Sequence, residues 1–256
     1  DPNVVNAKVP FDPIDKFLWA GMGFSASYNS GDANKFKPAS YLTDYWTDES
    51  IKVIKANKNR PFFLYLAHWG PHTPLQSTRE DYDALSGIEP HRKRVYAGMI
   101  RAVDRSVSRI LDTLEAEGIA DNTVVVFTSD NGGAGYIGIR DVNSPFRGWK
   151  ITMFEGGIRV PLFIKWPQKI APGTLVDTPV AHIDMAPTLA AGAGASLPNN
   201  VDIDGFNLLP LVAGNTKDLN RETLFWQSGH YQVVRHGDWK LQVNDRPTDG
   251  IHKWLF

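Results

Sequence analysis

The sequence predicts an α/β fold: a large mixed, mostly parallel sheet between helices, followed by a small antiparallel sheet at the C-terminal end. Three observations predict it. Apolar runs rich in β-branched and aromatic residues, at 61–67, 123–128 and 160–165, suit strands buried on both faces. A long amphipathic stretch from His91 to Glu117 separates the first two runs, as in a layered α/β domain. Beyond about residue 216 the pattern changes to short apolar segments cut by turn residues, the mark of a meander. The division is therefore 1–215 for the α/β part and 216–256 for the antiparallel part.

Residues 1–46 are rich in Gly, Pro, Asn and aromatic side chains without periodicity, which predicts a loop-rich surface layer. Asp48 to Lys58 predicts a short helix, with Ile51 and Ile54 on one face and acids in its first turn. Pro61-Phe62-Phe63-Leu64-Tyr65-Leu66-Ala67 predicts a buried strand. In His91–Glu117, the residues Val95, Met99, Val103, Val107, Ile110, Leu111 and Leu114 recur at steps of three and four, and Gly118 occupies the C-terminal stop position. Thr123–Thr128 and Val160–Lys165 predict two further strands, and Asp184–Ala191 a helix whose start is confined by Pro187. Leu224–Trp226, Tyr231–Arg235 and Trp239–Val243, split by Gly229 and by His236-Gly237-Asp238, predict the meander.

The composition narrows the function classes. Charges nearly cancel, 27 basic against 28 acidic, so no strong field favours nucleic acid or a membrane surface. No apolar run reaches the length of a membrane span. There are no cysteines, so any metal would be held by oxygen or nitrogen.

In open α/β sheets, ligands gather beyond the carboxyl ends of the strands. Ser129-Asp130-Asn131-Gly132-Gly133 stands directly after the run ending at Thr128. A carboxylate beside a carboxamide offers hard oxygen donors suited to calcium or magnesium, and two glycines let the backbone turn away. Taken alone, Asp-Asn-Gly is more often an Asx-turn closing a strand. After the run ending at Ala67 comes His68-Trp69-Gly70-Pro71-His72-Thr73-Pro74, where two prolines stiffen the backbone around His72. A held imidazole can act as an acid or an anion contact; a loop histidine bonded to a backbone carbonyl is the plainer reading. His68, nearer the strand, is the weaker candidate. A third cluster, Asn143 to Pro161, supplies Arg147 and Lys150 for anions, with Glu155 and Arg159 as a structural ion pair.

In their order along the chain, these motifs resemble the sulfatase family. The match rests on Pro61–Leu66 leading into Pro71-His72-x-Pro74, on Phe127-Thr128-Ser129-Asp130-Asn131-Gly132, on Arg147-Gly148-x-Lys150, and on Glu155-Gly156-Gly157-Ile158-Arg159-Val160-Pro161. Asp184-x-x-Pro187-Thr188-Leu189, Asp204-Gly205 and Gly237-Asp238-Trp239-Lys240 follow in the family's order. The resemblance implies the alkaline-phosphatase-like fold, incomplete here, and hydrolysis of sulfate esters. It implies Asp130 and Asn131 as metal ligands, Lys150 bridging sulfate and leaving group, and His72 on the ester oxygen, with His72 and Lys150 both catalytic and substrate-binding. The implied cofactor is a divalent cation, Ca2+ before Mg2+. The implied partners are a sulfate-ester small molecule or sulfated carbohydrate, in a periplasmic or secreted setting.

The chain also departs from the family pattern. Sulfatases use a formylglycine made within Cys/Ser-x-Pro-Ser-Arg, and neither that pattern nor an Asp-Asp pair occurs here. The expectation is therefore a C-terminal piece that is inactive alone, and that pairs with a second chain carrying the absent half or with itself. Two readings stand beside sulfate-ester hydrolysis: phosphoester or phosphonate hydrolysis, and a non-catalytic remnant of the fold. The aromatic residues Phe17, Trp19, Phe24, Tyr28 and Trp46 are candidates to stack on a sugar or aryl ring, or simply to pack into the surface.

Overall fold

A computed structural model describes residues 3–7, 40–246 and 250–256. Phe17, Trp19, Phe24 and Tyr28 lie outside the described residues. The chain forms two compact units, Asp1–Ala120 with Ala134–Val142, and Asp121–Gly133 with Asn143–Phe256.

In the first unit, strand β1 (Val4–Ala7) pairs antiparallel with β2 (Leu75–Thr78), Val4 opposite Thr78 and Ala7 opposite Leu75. The helices are α1 (Leu42–Asn57), α2 (Arg79–Asp83) and α3 (His91–Ala116). The apolar stripe of α3 is buried at Val95, Met99, Val103 and Leu114, as its period predicts. Helix α3 stops where Gly118 takes φ +69°, the left-handed conformation that a side chain disfavours. Val5, Ala7, Leu75, Val95, Met99, Ile137 and Ile139 form the apolar core of this unit.

Polar side chains join α1 to α3. Thr47 Oγ1 lies 2.6 Å from Ser106 Oγ, which lies 2.9 Å from His68 Nε2. Arg105 reaches Asp44 and Asp81, Arg101 reaches Asp81, and Arg109 reaches Asp48. Asp81 is fully buried, and burial alone would raise its pKa. Hydrogen bonds from Arg105, Thr78 and Arg101 outweigh that and hold it below the ordinary carboxylate value. Burial pushes the Tyr41 phenol up to about 12, and its hydroxyl donates to the Gln76 carbonyl.

Two expectations for this unit need correction. The helix expected from Asp48 begins earlier, at Leu42, because its first turn is polar and carries no apolar periodicity. Pro61–Ala67 forms no ladder among the described residues. Its exposure alternates instead: Phe63 and Tyr65 are 76% and 81% exposed, while Phe62, Leu64 and Leu66 are half-buried. That is the alternation of a one-sided strand, not of one buried on both faces.

The second unit contains β3 (Val125–Thr128), the short helix α4 (Glu155–Ile158) and β4 (Leu162–Lys165). Strands β3 and β4 pair antiparallel, Val125 opposite Lys165 and Thr128 opposite Leu162. Helix α5 (Met185–Gly192) follows a 3-10 turn over His182–Asp184, and α6 (Leu209–Val212) follows it. Pro187 sits in the first turn of α5, where a missing N–H costs no intrahelical bond. Leu208, Leu211 and Leu219 form a core, with Leu162, Ile164 and Met185 packed against it.

The meander has four strands where three were expected: β5 (Thr223–Ser228), β6 (Tyr231–His236), β7 (Trp239–Arg246) and β8 (Gly250–Leu255), joined in that order. Lys240, Gln242 and Asn244 share the buried face of β7 at the two-residue period of a strand. Every ladder among the described residues is antiparallel, so the mostly parallel pairing expected from the apolar runs is not formed by them.

Asp184 is the buried pivot of this unit. Its carboxylate accepts from the backbone N–H groups of Ala181 and Phe206, and from Arg221 through Nη1 at 2.7 Å and Nη2 at 2.8 Å. Burial works against the charge, but the guanidinium and the two backbone donors outweigh it and hold the pKa below the ordinary value.

Candidate functional site

The Ser129–Gly133 segment leaves β3 and turns at once. Ser129 Oγ donates to the Asn131 carbonyl at 2.9 Å, and His182 Nε2 lies 3.0 Å from the Ser129 carbonyl, which fixes that nitrogen as the donor. Asp130 is exposed and Asn131 half-buried. The turn is held by the Ser129 hydroxyl, and a second layer of backbone stands behind it.

That layer comes from the Arg147–Gly157 segment. The Gly132 N–H donates to the Gly157 carbonyl at 3.0 Å, and the Gly156 N–H to the Arg147 carbonyl at 2.7 Å. A Cβ on Gly132 would lie 1.8 Å from the Gly156 oxygen, and one on Gly156 would lie 2.4 Å from the Gly148 oxygen. No side chain fits at either position, so glycine here is a requirement of close backbone approach.

Lys150 is tied to the same turn. Its backbone N–H donates to the Gly133 carbonyl at 3.1 Å, which, with the Gly132–Gly157 bond, joins the segment of Asp130 and Asn131 to that of Lys150. The Lys150 turn itself is tight: Gly148 has φ +88° and Ile151 φ +85°. A β-branched residue at positive φ is a genuine outlier, of the kind that persists where surrounding bonds over-determine the chain. Thr152 supplies such bonds, with Oγ1 accepting from the Trp149 N–H at 3.1 Å and donating to the Trp149 carbonyl at 2.8 Å.

The other cations of this cluster are committed elsewhere. Arg147 stacks its guanidinium 4.2 Å from the Phe154 ring centroid and 5.9 Å from that of Trp254. The Glu155–Arg159 pair is a loose 3.9 Å contact, whereas Lys240 Nζ meets Glu155 Oε1 at 2.7 Å with Lys240 almost buried. The expected Glu155–Arg159 pair is therefore present, and Glu155 has in Lys240 a second and shorter partner that the sequence did not show.

His72 belongs to the first unit. Its Nδ1 lies 2.9 Å from the Thr73 carbonyl, and since a carbonyl only accepts, Nδ1 carries the hydrogen. In the neutral ring the lone pair is then on Nε2. The Trp69 ring meets the imidazole edge-on at 5.4 Å, and Trp69 Nε1 donates to the same Thr73 carbonyl. His68 packs as expected: its Nε2 bonds Ser106, and burial lowers its pKa. Trp46 sits on α1, 40% exposed and edge-on to Tyr45.

Comparison with known proteins decides the family. A family model described as Sulfatase matches residues 8–195, more than half of the chain. The chain belongs to the sulfatase family. A second model, N-sulphoglucosamine sulphohydrolase, C-terminal, matches residues 147–245. This sulfatase chain is 32% identical over 249 residues to an uncharacterized sulfatase of Escherichia coli, covering 94% of this chain and 43% of that protein. It is 34% identical over 207 residues to steryl-sulfatase of Homo sapiens, covering 76% of this chain and 34% of that one.

Among solved structures, Ps i-CgsB in complex with k-i-k-neocarrahexaose superposes with a TM-score of 0.77 at 31% identity. That likeness covers 96% of this chain and 56% of the other. A phosphonate monoester hydrolase from Silicibacter pomeroyi superposes at 0.63 with 20% identity, a likeness of fold alone, covering 97% of this chain and 63% of that chain. The sulfatase chain thus spans about half the length of the solved relatives and less of the curated ones. The fold is the alkaline-phosphatase-like α/β fold of these neighbours, with the C-terminal antiparallel sheet.

Sulfatases use a divalent metal. Asp130 and Asn131 fit part of such a site, being hard oxygen donors beside a backbone with no room for further side chains. No group of three or more His, Asp or Glu side chains gathers among the described residues. Among those residues, no helix is long and apolar enough to cross a membrane.

Proposed function

We propose that this chain carries the metal-contacting and sulfate-contacting part of a sulfuric-ester hydrolase, with a sulfate-ester small molecule or sulfated carbohydrate as substrate. One observation carries the reading: the Lys150 N–H bonds the carbonyl of Gly133, two residues beyond Asn131, so a cation and two oxygen donors share one rigid backbone cluster. The likeness to a chain solved with k-i-k-neocarrahexaose supports a saccharide ester.

In this proposal Asp130 and Asn131 hold the metal, which is calcium, because a carboxylate together with a carboxamide oxygen is a donor set that calcium takes readily. A bound divalent cation supplies positive charge that orients sulfate oxygens. Lys150 donates charge-assisted hydrogen bonds to those oxygens and offsets charge that builds on the leaving group. His72 acts in its imidazolium form: its Nδ1 hydrogen stays on the Thr73 carbonyl, and the second hydrogen, on Nε2, is the one given to the departing oxygen, which leaves the neutral ring. The setting is periplasmic or extracellular, and the chain associates with a second chain or with itself. Near-neutral charge argues against nucleic acid as a partner.

The test uses the intact protein from which the chain derives, assayed on an aryl sulfate and an aryl phosphate with calcium, magnesium or a chelator. Sulfate hydrolysis that needs calcium and exceeds phosphate hydrolysis is expected. Faster phosphate or phosphonate hydrolysis supports the other superfamily chemistry, and no turnover of either supports a non-catalytic role. Assayed by itself, the 256-residue chain turns over no aryl sulfate in this account, because no segment of it matches the formylglycine precursor pattern.

A further inference from the structure

Asn143 has no role in the reading above, yet its side chain makes three hydrogen bonds within the cluster. Its Oδ1 accepts from the Gly133 N–H at 2.7 Å, and its Nδ2 donates to the Gly133 carbonyl at 2.9 Å and to the Gly148 carbonyl at 3.1 Å. Only one orientation of the amide satisfies all three, so the assignment of oxygen and nitrogen follows from the partners. Its own carbonyl accepts from Phe146 N–H at 2.8 Å, which anchors the side chain on a closed turn.

The two peptide groups it joins are the relevant ones. Gly133 ends the Asp130–Asn131 turn, and its carbonyl also accepts the Lys150 N–H. Gly148 opens the turn that presents Lys150. A single carboxamide therefore ties the turn bearing the oxygen donors to the turn bearing the ammonium. Asn143 is half-buried, so water competes for these bonds if the side chain is lost.

We infer that Asn143 is the positioning residue that fixes Lys150 against the Asp130–Asn131 turn, so that metal-bound and lysine-bound oxygens of one sulfate group are presented together. What Asp130 and Lys150 do for substrate rests on the sulfate-ester reading; the clamp does not. No other residue type does the same work. Aspartate keeps the acceptor for the Gly133 N–H but turns an oxygen toward two carbonyls. Alanine removes all three bonds.

The experiment is residue-resolved amide hydrogen exchange on the 256-residue chain and on Asn143→Ala and Asn143→Asp, with calcium chloride and sodium sulfate titrated into each. In Asn143→Ala, exchange at Gly133 and Lys150 should rise at least about tenfold, while amides of β3 and β4 stay within about twofold. In Asn143→Asp, Gly133 should stay protected while Lys150 exchanges faster, a split that general destabilisation does not produce. If Asn143→Ala fails to fold, that split in Asn143→Asp decides alone. Unchanged exchange at Gly133 and Lys150, or equal acceleration throughout β3 and β4, overturns the inference. If the exchange pattern holds while the intact protein hydrolyses no aryl sulfate, the clamp stands and the sulfate-ester reading is what falls. If the wild-type chain binds both and the variants exchange as it does, the inference falls and the reading stands.

Discussion

The α1–α3 helix pair of the first unit and the glycine-lined turns of the second are held together by opposite means. Helices α1 and α3 meet through side chains: Thr47 with Ser106, Arg105 with Asp44, and Arg109 with Asp48. The turns around Asp130 and Lys150 meet through peptide groups, with Gly132 on Gly157, Gly156 on Arg147 and Lys150 on Gly133, and the Asn143 side chain between them bonds only peptide groups, those of Gly133 and Gly148. Side-chain contacts tolerate change because a lost group leaves room for water. Backbone contacts at these separations leave no such room, which suits a place where two functional side chains must be fixed to within a fraction of an ångström.

The largest expected effect comes from the buried carboxylates that anchor each unit, and it separates them. Asp184→Ala strands the Arg221 guanidinium, which is only 8% exposed, and should cost about 3–5 kcal/mol in urea unfolding. Asp81→Ala should cost less, about 2 kcal/mol, because Arg101 and Arg105 are 41% and 29% exposed and can turn to water. Both carboxyls have folded-state pKa values below the ordinary one. Their stabilisation is therefore complete above the unfolded value of about 3.9 and is lost as pH falls through the depressed folded values. Asp184→Asn should flatten the fall in stability below about pH 4, as unfolding free energies at pH 3 and pH 7 will show.

Next comes a glycine comparison. Gly132→Ala should destabilise the second unit by about 3 kcal/mol, since backbone must move to admit the methyl group. Gly87→Ala in the first unit meets nothing within 4 Å and should stay within about 0.5 kcal/mol. Equal effects would remove the distinction between backbone-held and side-chain-held regions. Thr47→Val should cost about 1 kcal/mol, less than any of the anchor losses, because it deletes one link of the α1–α3 polar chain at constant shape.

Elements governed by local period were legible in the sequence. Helix α3 and its stop at Gly118 follow from apolar spacing and one glycine, and the meander from its turn residues. Pro61–Ala67 misled because a run of apolar residues conceals alternation, which only the exposure of Phe63 and Tyr65 reveals. Asp130, Asn131 and Lys150 were legible as motif residues, and the structure joins their segments. Asn143 was not legible, because its role depends on two carbonyls brought to it by folding, and an Asn before Ser-Pro is an ordinary turn residue. The contact of Lys240 with Glu155 was missed for a similar reason: the two lie 85 residues apart, and only folding brings them together.

In the proposed site, oxygen donors and a cation on one backbone cluster divide the labour between metal and substrate. Metal content of the intact protein, measured by elemental analysis after exhaustive dialysis into metal-free buffer and re-addition of calcium, tests it most directly. Asp130→Ala should retain little or no calcium, and Lys150→Ala should retain calcium as the wild type does while losing hydrolysis of an aryl sulfate, because an ammonium does not ligate a cation. Loss of the ion from Lys150→Ala as complete as from Asp130→Ala would contradict the account.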